Sequence, residues 1–438
     1  MKYFQICIDS TDGLESVPKN TTHLSIQSKY NKQINPGDLP PNLEKISFDG
    51  KFDREIFAEQ FPDTLRILKF SAHYNHKLTP KSLPKNLTKL TMGQSYNHPI
   101  SSGNFPRTLE CLKLGSHYNI ELDEDSLPTN LRKLTLGPKY NHKFKPGIFP
   151  HSLTYLDMSL SGNFELELNT LPKYLRTIKL SCKYSHEINH NVFPDTLETL
   201  IIYAYRYPLT ENTLPKNLVK LKFTGKYSHP IKSSFFPLTL KDLDLGSSFN
   251  IRLAPDSLPE NIETLCLSEN YSHPLEAESF PPTLMDLSLG IYYNAAVTAE
   301  ILPKNIKKLS LSWAYSQHID RHTLPDTLEF LRLGTNFRQE LSIDIFPSNL
   351  KYLEIIPREC LELLNPLYQQ LYFMVIFNSM HVNLYPITYP ILVTVKAKFI
   401  DDRYEIADTV VINQVKYYRL INPETYQIRS NAKSARKN

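Results

Sequence analysis

Apolar residues recur along this chain with a period of about 22 residues, and a proline preceded by an apolar residue marks each period. Successive prolines are 22 residues apart from Pro18 to Pro194; one step of 21 leads to Pro215, and the 22-residue step then continues to Pro347. A unit this short cannot bury its apolar residues alone, whereas a stack of such units shares one continuous core. The sequence therefore predicts a solenoid of sixteen coils, the last incomplete.

Within each coil, the apolar positions alternate in the manner of a short strand. Counted from the proline, positions three, six and eight are apolar in almost every coil; in the coil of Pro84 they are Leu87, Leu90 and Met92. Alternation at positions six and eight is the period of a half-buried strand. Stacking the coils would align these strands in a parallel sheet, opposite a mostly irregular return side.

Other residue types recur at fixed positions, and each suggests a structural role. Glycine at position nine, as in Gly93 and Gly115, suits a sharp exit from the strand. Asparagine at position thirteen, as in Asn97 and Asn119, can bond loop backbone, so we expect an inter-coil ladder there. The residue before proline alternates between leucine and phenylalanine, and position two mostly alternates between asparagine and threonine. The true period is therefore nearer 44 residues.

The repeat LPxNLxxLxLGxxYNHxIxxxxF, which covers about residues 17 to 356, resembles the FNIP repeat. This is a short relative of the leucine-rich repeat that is found mainly in slime moulds and giant viruses. The resemblance implies a leucine-rich-repeat-like parallel β-sheet solenoid. Because family members often carry an F-box, it also implies the substrate-recognition arm of a ubiquitin ligase as one function. No clear F-box is present: the string from Ile356 to Leu364 is only superficially similar and is followed by Pro366.

The repeat pattern divides the chain into four predicted parts. Residues 1–17 are expected to form an N-terminal cap with a strand, and residues 18–356 the solenoid. Residues 357–428 are expected to form a small β-rich capping subdomain, followed by a flexible basic tail at 429–438. Within the subdomain, residues 358–372 suggest a short helix, and the predicted strands are 372–377, 391–399 and 409–420.

Composition favours an intracellular protein. The five cysteines are far apart and form no C-x-x-C pair, which suggests reduced thiols. The first residues lack the apolar stretch of a secretory signal, and no segment approaches a membrane span. A formal net charge of +4 lacks the strong basic excess typical of a dedicated nucleic-acid binder. We therefore expect an intracellular, cytoplasmic monomer that does not contact a membrane.

The sequence contains no recognisable catalytic or cofactor motif, and we predict neither an enzyme nor a bound cofactor or metal. Six histidines share position fourteen, but in every second coil they would stand about 10 Å apart. One ion cannot bridge that distance. We interpret them as loop residues that pack beside the tyrosines of position twelve; they are His76, His98, His142, His186, His229 and His273.

Positions five and seven flank the strand core and should face outward, and in the first half of the chain they are rich in lysine. This pattern favours a protein-interaction scaffold whose partner has an acidic face. Two alternatives stay open: a polyanion or nucleic-acid binder, and lysines that merely keep an exposed sheet soluble. The candidate partner-binding residues are Lys45, Lys69, Lys89, Lys113, Lys133, Lys179, Lys220 and Lys222.

Overall fold

The computed structural model describes residues 5–8, 13–27, 30–203, 205–334, 336–337, 339, 345–350, 352–355, 405–412 and 415–421. The chain divides into two compact units. The first comprises Met1–Tyr227 with Ser234–Leu240, and the second comprises Ser228–Ser233 with Lys241–Asn438.

The first unit contains a run of short strands, one for each repeat after an initial strand β1. Short 3-10 helices lie at Leu14–Ser16 and Ala58–Gln60. The strands are β1 Gln5–Ile8, β2 His23–Ile26, β3 Lys45–Phe48, β4 Ile67–Lys69, β5 Lys89–Thr91, β6 Cys111–Lys113, β7 Lys133–Thr135, β8 Tyr155–Asp157, β9 Thr177–Lys179, β10 Thr199–Ile202 and β11 Lys220–Phe223.

The second unit continues the same pattern and then changes to a hairpin. Its repeat strands are β12 Asp242–Asp244, β13 Thr264–Cys266, β14 Asp286–Ser288, β15 Lys308–Ser310, β16 Phe330–Leu333 and β17 Tyr352–Ile355. Two longer strands, β18 Glu405–Ile412 and β19 Val415–Ile421, pair in antiparallel orientation.

Within each unit, successive repeat strands pair in parallel with equivalent positions aligned. In the first unit, for example, Leu90 pairs with Leu112, and Leu112 with Leu134. In the second, Leu265 pairs with Leu287. The predicted leucine-rich-repeat-like parallel solenoid is confirmed.

The core of each coil consists of the repeated apolar positions. In the coil of Pro84, Leu87, Leu90, Met92, Tyr96 and Ile100 are all buried. The position-twelve tyrosines stack across coils: the rings of Tyr118 and Tyr140 lie parallel with centroids 6.3 Å apart. Stacking therefore buries aromatic rings that a single 22-residue coil would leave exposed.

The asparagine ladder is confirmed. The Oδ1 atom of Asn97 accepts the backbone N–H of Asn119 at 2.9 Å, and the Oδ1 atom of Asn119 accepts that of Asn141 at 3.0 Å. Asp53 occupies one rung and accepts the N–H of Asn75 at 3.2 Å. Each rung joins the loop after a strand to the coil that precedes it.

At position nine, Gly246 has the positive φ that suits a sharp exit from the strand, but Gly115 and Gly290 have a different role from the one predicted. A Cβ atom built on Gly115 would lie 1.9 Å from the carbonyl oxygen of Gly93, and one on Gly290 would lie 1.7 Å from that of Ser268. The backbone dihedral φ of these glycines is not positive, although it is +75° at Gly246. Close approach of the neighbouring coil, not a sharp turn, excludes a side chain at Gly115 and Gly290.

The alternation at position two is explained by two hydrogen-bond patterns. In coils that begin with Phe-Pro, the Thr108 hydroxyl lies 2.8 Å from two carbonyl oxygens of the preceding coil, those of Lys85 and Leu87. In coils that begin with Leu-Pro, the Asn86 side-chain amide donates to the carbonyl oxygen of Asp63 at 2.9 Å. Two alternating coil types agree with the predicted 44-residue period.

At the ends of the chain, the structure addresses part of the prediction. The expected N-terminal strand is present as β1, which pairs in parallel with β2. The segment 409–420, predicted as one strand, is instead divided between β18 and β19, because the chain reverses between Ile412 and Val415. The predicted helix at 358–372 and the strands at 372–377 and 391–399 lie outside the described residues, as does the tail at 429–438.

Candidate interaction surface

The outward positions of β3 to β7 carry one lysine per strand, and the lysines alternate between two rows. Lys45, Lys89 and Lys133 occupy position five, whereas Lys69 and Lys113 occupy position seven. Lysine is never opposite lysine, because Cys111 pairs with both Lys89 and Lys133. Alternation of the rows avoids the repulsion that like charges cause when they are directly opposite. We call these five outward-facing lysines, with the shorter side chains between them, the lysine face.

Four of the five lysines on this face form no ion pair with any residue that the structure describes. They are exposed, and they are Lys45, Lys89, Lys113 and Lys133. Lys69 differs, because its Nζ atom lies 2.5 Å from Oδ1 of Asp49. Burial opposes ionisation of Asp49, but hydrogen bonds from Lys69 and Ser25 hold the pKa of this carboxyl below its ordinary value. Asp49 therefore neutralises Lys69 and leaves the other four charges available.

The face ends at β8, where an aromatic ring and a carboxylate replace the lysines. The Nζ atom of Lys133 lies 4.1 Å from the ring centroid of Tyr155, within cation–π range. In the next strand, Lys179 lies 5.7 Å from the same ring and 3.3 Å from the carboxylate of Asp157. Burial opposes ionisation of Asp157, but hydrogen bonds from Ser159 and the charge of Lys179 lower its pKa. Lys179 therefore belongs to an internal pair.

The structure does not bring Lys220 and Lys222 together with the lysine face. Both are half-buried in β11, and both already interact with other groups. Three strands, β8 to β10, separate β11 from β7. Of the eight candidate lysines, the geometry thus groups five and leaves four of these without an ionic partner among the described residues.

Side chains shorter than lysine lie between the lysines. Ile67 and Cys111 occupy position five in alternate strands, and Ser47, Thr91 and Thr135 occupy position seven. Cys111 is partly exposed and has a free thiol. Sequence reasoning did not identify Cys111, Asp49 or Tyr155 as part of this surface. The contact between Asp49 and Lys69 could have been predicted from the repeat, because position nine of one coil is adjacent to position seven of the next.

Position-fourteen histidines pack beside the tyrosines as predicted; those with a ring contact are His76, His98, His142, His186 and His273. The ring of His142 meets that of Tyr140 edge to face with centroids 5.7 Å apart, and its Nε2 atom lies 3.0 Å from the carbonyl oxygen of Asn119. His98 makes equivalent contacts with Tyr96 and Asn75. Among the described residues, no group of three or more histidine, cysteine or acidic side chains is placed to hold a metal ion. The same part of the chain has no helix that is long and apolar enough to span a membrane.

Comparison with solved structures supports a leucine-rich-repeat-like fold. The chain is similar to the crystal structure of CroV588, described as a novel circular LRR protein structure, with 27% identity and a TM-score of 0.63. That match covers 77% of this chain and 53% of CroV588, so the chain spans about half the length of the structure it matches.

A weaker likeness is to the Toll–Spatzle complex of Drosophila in its glycosylated form. The identity is 15% and the TM-score 0.49, and the match covers 81% of this chain and 50% of that chain. No curated protein matches the sequence.

The FNIP Repeat family matches most of the repeat region. The matched residues are 14–50, 30–73, 74–117, 118–161, 163–203, 206–248, 249–292 and 293–336. Most of these segments span two coils, in agreement with the alternation of the two coil types. The chain therefore belongs to the FNIP repeat family.

Proposed function

We propose that this protein is a non-catalytic interaction scaffold that binds a protein partner with an acidic face. The lysine face is the single observation that supports this function most strongly. It presents four exposed lysines without an ionic partner among the described residues, on one side of a regular sheet. Complementary charge accelerates encounter and selects partners, while the shorter side chains between the lysines leave room for contact.

We further propose that the protein acts as a monomer inside the cell, which would be a host cell if the source is viral. The free thiols of Cys111, Cys182 and Cys266 support this location, because cysteines in oxidising compartments tend to form disulfides. A role as the recognition arm of a ubiquitin ligase is a more specific form of the scaffold function. The segment that is superficially F-box-like, from Ile356 to Leu364, lies outside the described residues.

Affinity capture with matched charge variants tests the scaffold function. The full-length protein, a face variant K89E/K113E/K133E and a control variant K32E/K77E/K81E would be used with a salt series. The control lysines are exposed on the return side of the same unit, so both variants change the total charge equally.

We expect the wild type and the control variant to capture the same proteins, and the face variant to lose them. A cullin or its adaptor among those proteins would support the ligase function. Equal capture by all three proteins would contradict the proposed use of the lysine face. Capture that is lost on nuclease treatment would instead favour nucleic acid.

A further inference from the structure

We infer that the lysine face binds an acidic protein segment in an extended conformation, which crosses strands β5 to β7 and places carboxylates beside Lys89, Lys113 and Lys133. This inference rests on the proposed scaffold function and specifies the partner of the same surface. The alternating arrangement of the lysines, the groups at both ends of the face and the residues between the lysines each support it.

The spacing of the lysines suits an extended chain. Lysines of the same row recur in every second strand, about 10 Å apart, and neighbours in opposite rows are about 8 Å apart. A polyproline-II segment rises about 3.1 Å per residue and presents the same side every third residue, or about 9 Å. Acidic residues three apart would therefore meet Lys89 and Lys133, and one between them would reach Lys113.

Groups at both ends limit the length of the segment. On one side, Asp49 already neutralises Lys69 at 2.5 Å. On the other, Asp157 in β8 is paired with Lys179 at 3.3 Å, so β8 and β9 offer an acidic chain no unpaired lysine at these two positions. From Lys89 to Lys133 the segment crosses two strand spacings, about 10 Å, which about four residues of an extended chain span.

The side chains around the lysines favour a peptide over nucleic acid. Proteins that bind single strands combine basic grooves with aromatic side chains on which bases stack. The outward positions of β3 to β7 contain none; the exposed aromatic residues of the described chain, Phe57, Tyr174, Tyr292 and Trp313, lie at other positions.

Fluorescence anisotropy with the full-length protein tests the chemistry of the occupant. The probes are a labelled oligoglutamate of about nine residues and a labelled single-stranded DNA of equal charge. We expect the peptide to bind more tightly than the DNA, with affinity that falls as salt rises. The K89E/K113E/K133E variant should lose at least about tenfold in peptide affinity, and the K32E/K77E/K81E control less than about twofold. Tighter binding of the DNA, or equal losses in the two variants, would overturn the inference.

The location of the segment is tested by the thiol of Cys111, which lies between Lys89 and Lys133 in the sheet register. Saturating oligoglutamate should slow alkylation of Cys111 by at least about fivefold, because a segment bound across β6 would keep the reagent away from the thiol. Alkylation of Cys182, which is exposed, and of Cys266, which is partly exposed in β13, should not change. Equal rates at Cys111 with and without peptide would overturn the inference.

A T91K/K113T variant tests whether the arrangement of charges matters, because it conserves the net charge but moves one lysine to β5. We expect it to bind oligoglutamate several-fold more weakly than the wild type; unchanged affinity would show that only total charge matters and would overturn the extended register.

These outcomes are separable from those of the capture experiment. Loss of natural partners in the face variant, without peptide binding or Cys111 protection, would retain the scaffold function and reject the extended acidic segment.

Discussion

The side-chain oxygen Oδ1 of Asn119 accepts the backbone N–H of Asn141 in the next coil at 3.0 Å. The same bond recurs between equivalent residues along the first unit, and Asn250 with Ser272 and Asn294 with Ser316 reproduce it in the second. Backbone bonds also link neighbouring loops, for example from the N–H of His117 to the carbonyl oxygen of Gln94 at 2.8 Å, and the asparagine side chains add a second link between the same loops. Position thirteen therefore requires a side-chain acceptor oxygen at the correct register.

Replacing Asn119 by alanine should lower the free energy of unfolding by about 1 kcal/mol, because the N–H of Asn141 loses its acceptor. Replacing it by aspartate should cost less, since Asp53 already serves as a rung and accepts the N–H of Asn75. Chemical denaturation of N119A and N119D measures both effects. Equal destabilisation in the two variants would show that the acceptor oxygen is not the important feature.

Replacing Gly115 by alanine should destabilise the protein by about 3 kcal/mol, near the upper end for overpacking. The added Cβ would lie 1.9 Å from the carbonyl oxygen of Gly93, and backbone cannot move aside as a side chain can. Gly103 is the matched control, because it has a φ of +81° and no atom closer than 3.7 Å to an added Cβ. G103A should cost only about 1 to 2 kcal/mol through its left-handed backbone. A smaller loss in G115A than in G103A would contradict the close-approach explanation.

Removing the Thr108 hydroxyl should lower the free energy of unfolding by about 1 kcal/mol. T108V keeps the shape but loses the contact with the carbonyl oxygens of Lys85 and Leu87, each at 2.8 Å. T108S keeps the hydroxyl, as does Ser152 at the equivalent position, where it donates to Leu131 at 2.8 Å. We therefore expect denaturation midpoints in the order wild type, T108S, T108V. A T108S variant as unstable as T108V would rule out the hydrogen bonds as the cause.

The protein should lose stability steeply above pH 10. Burial raises the pKa of Tyr96, Tyr227 and Tyr293 to about 12, and burial also raises the pKa of the stacked residues Tyr118 and Tyr140. A tyrosine with a raised folded-state pKa keeps its full stabilising contribution below its unfolded value near 10 and loses it as pH rises through the folded value. Each such tyrosine costs up to about 1.4 kcal/mol per pH unit in this window.

Tyrosinate absorbance and circular dichroism, followed together from pH 8 to 12.5, test this pH dependence. The buried tyrosines should ionise in the same narrow range in which the secondary structure is lost. A Y96F variant removes one ionising group and should make the decline in stability with pH shallower. Ionisation of most tyrosines near pH 10 while the fold stays intact would contradict their burial.

The ladder and the core could be predicted because they repeat. Leu90 and Met92 are apolar and are separated by one polar residue, which indicates a strand and its buried side. Asn97 and Asn119 are 22 residues apart, which places them in adjacent coils. The role of Gly115 could not be predicted this way, since its explanation is a contact with the Gly93 carbonyl rather than a property of its own backbone. The hairpin of β18 and β19 was missed because no repeat marks the reversal.

The repeated sequence pattern was enough to predict the parallel solenoid, the strand positions and which strand positions face outward, because each follows from a pattern that the chain repeats many times. The folded side chains were needed to show which outward lysines are available. Asp49 neutralises Lys69, Asp157 neutralises Lys179, and Lys89 and Lys113 stay without an ionic partner among the described residues. The physical reason is that an ion pair depends on distances of a few ångströms between side chains of different coils, and a repeat period fixes the register of the backbone but not those distances.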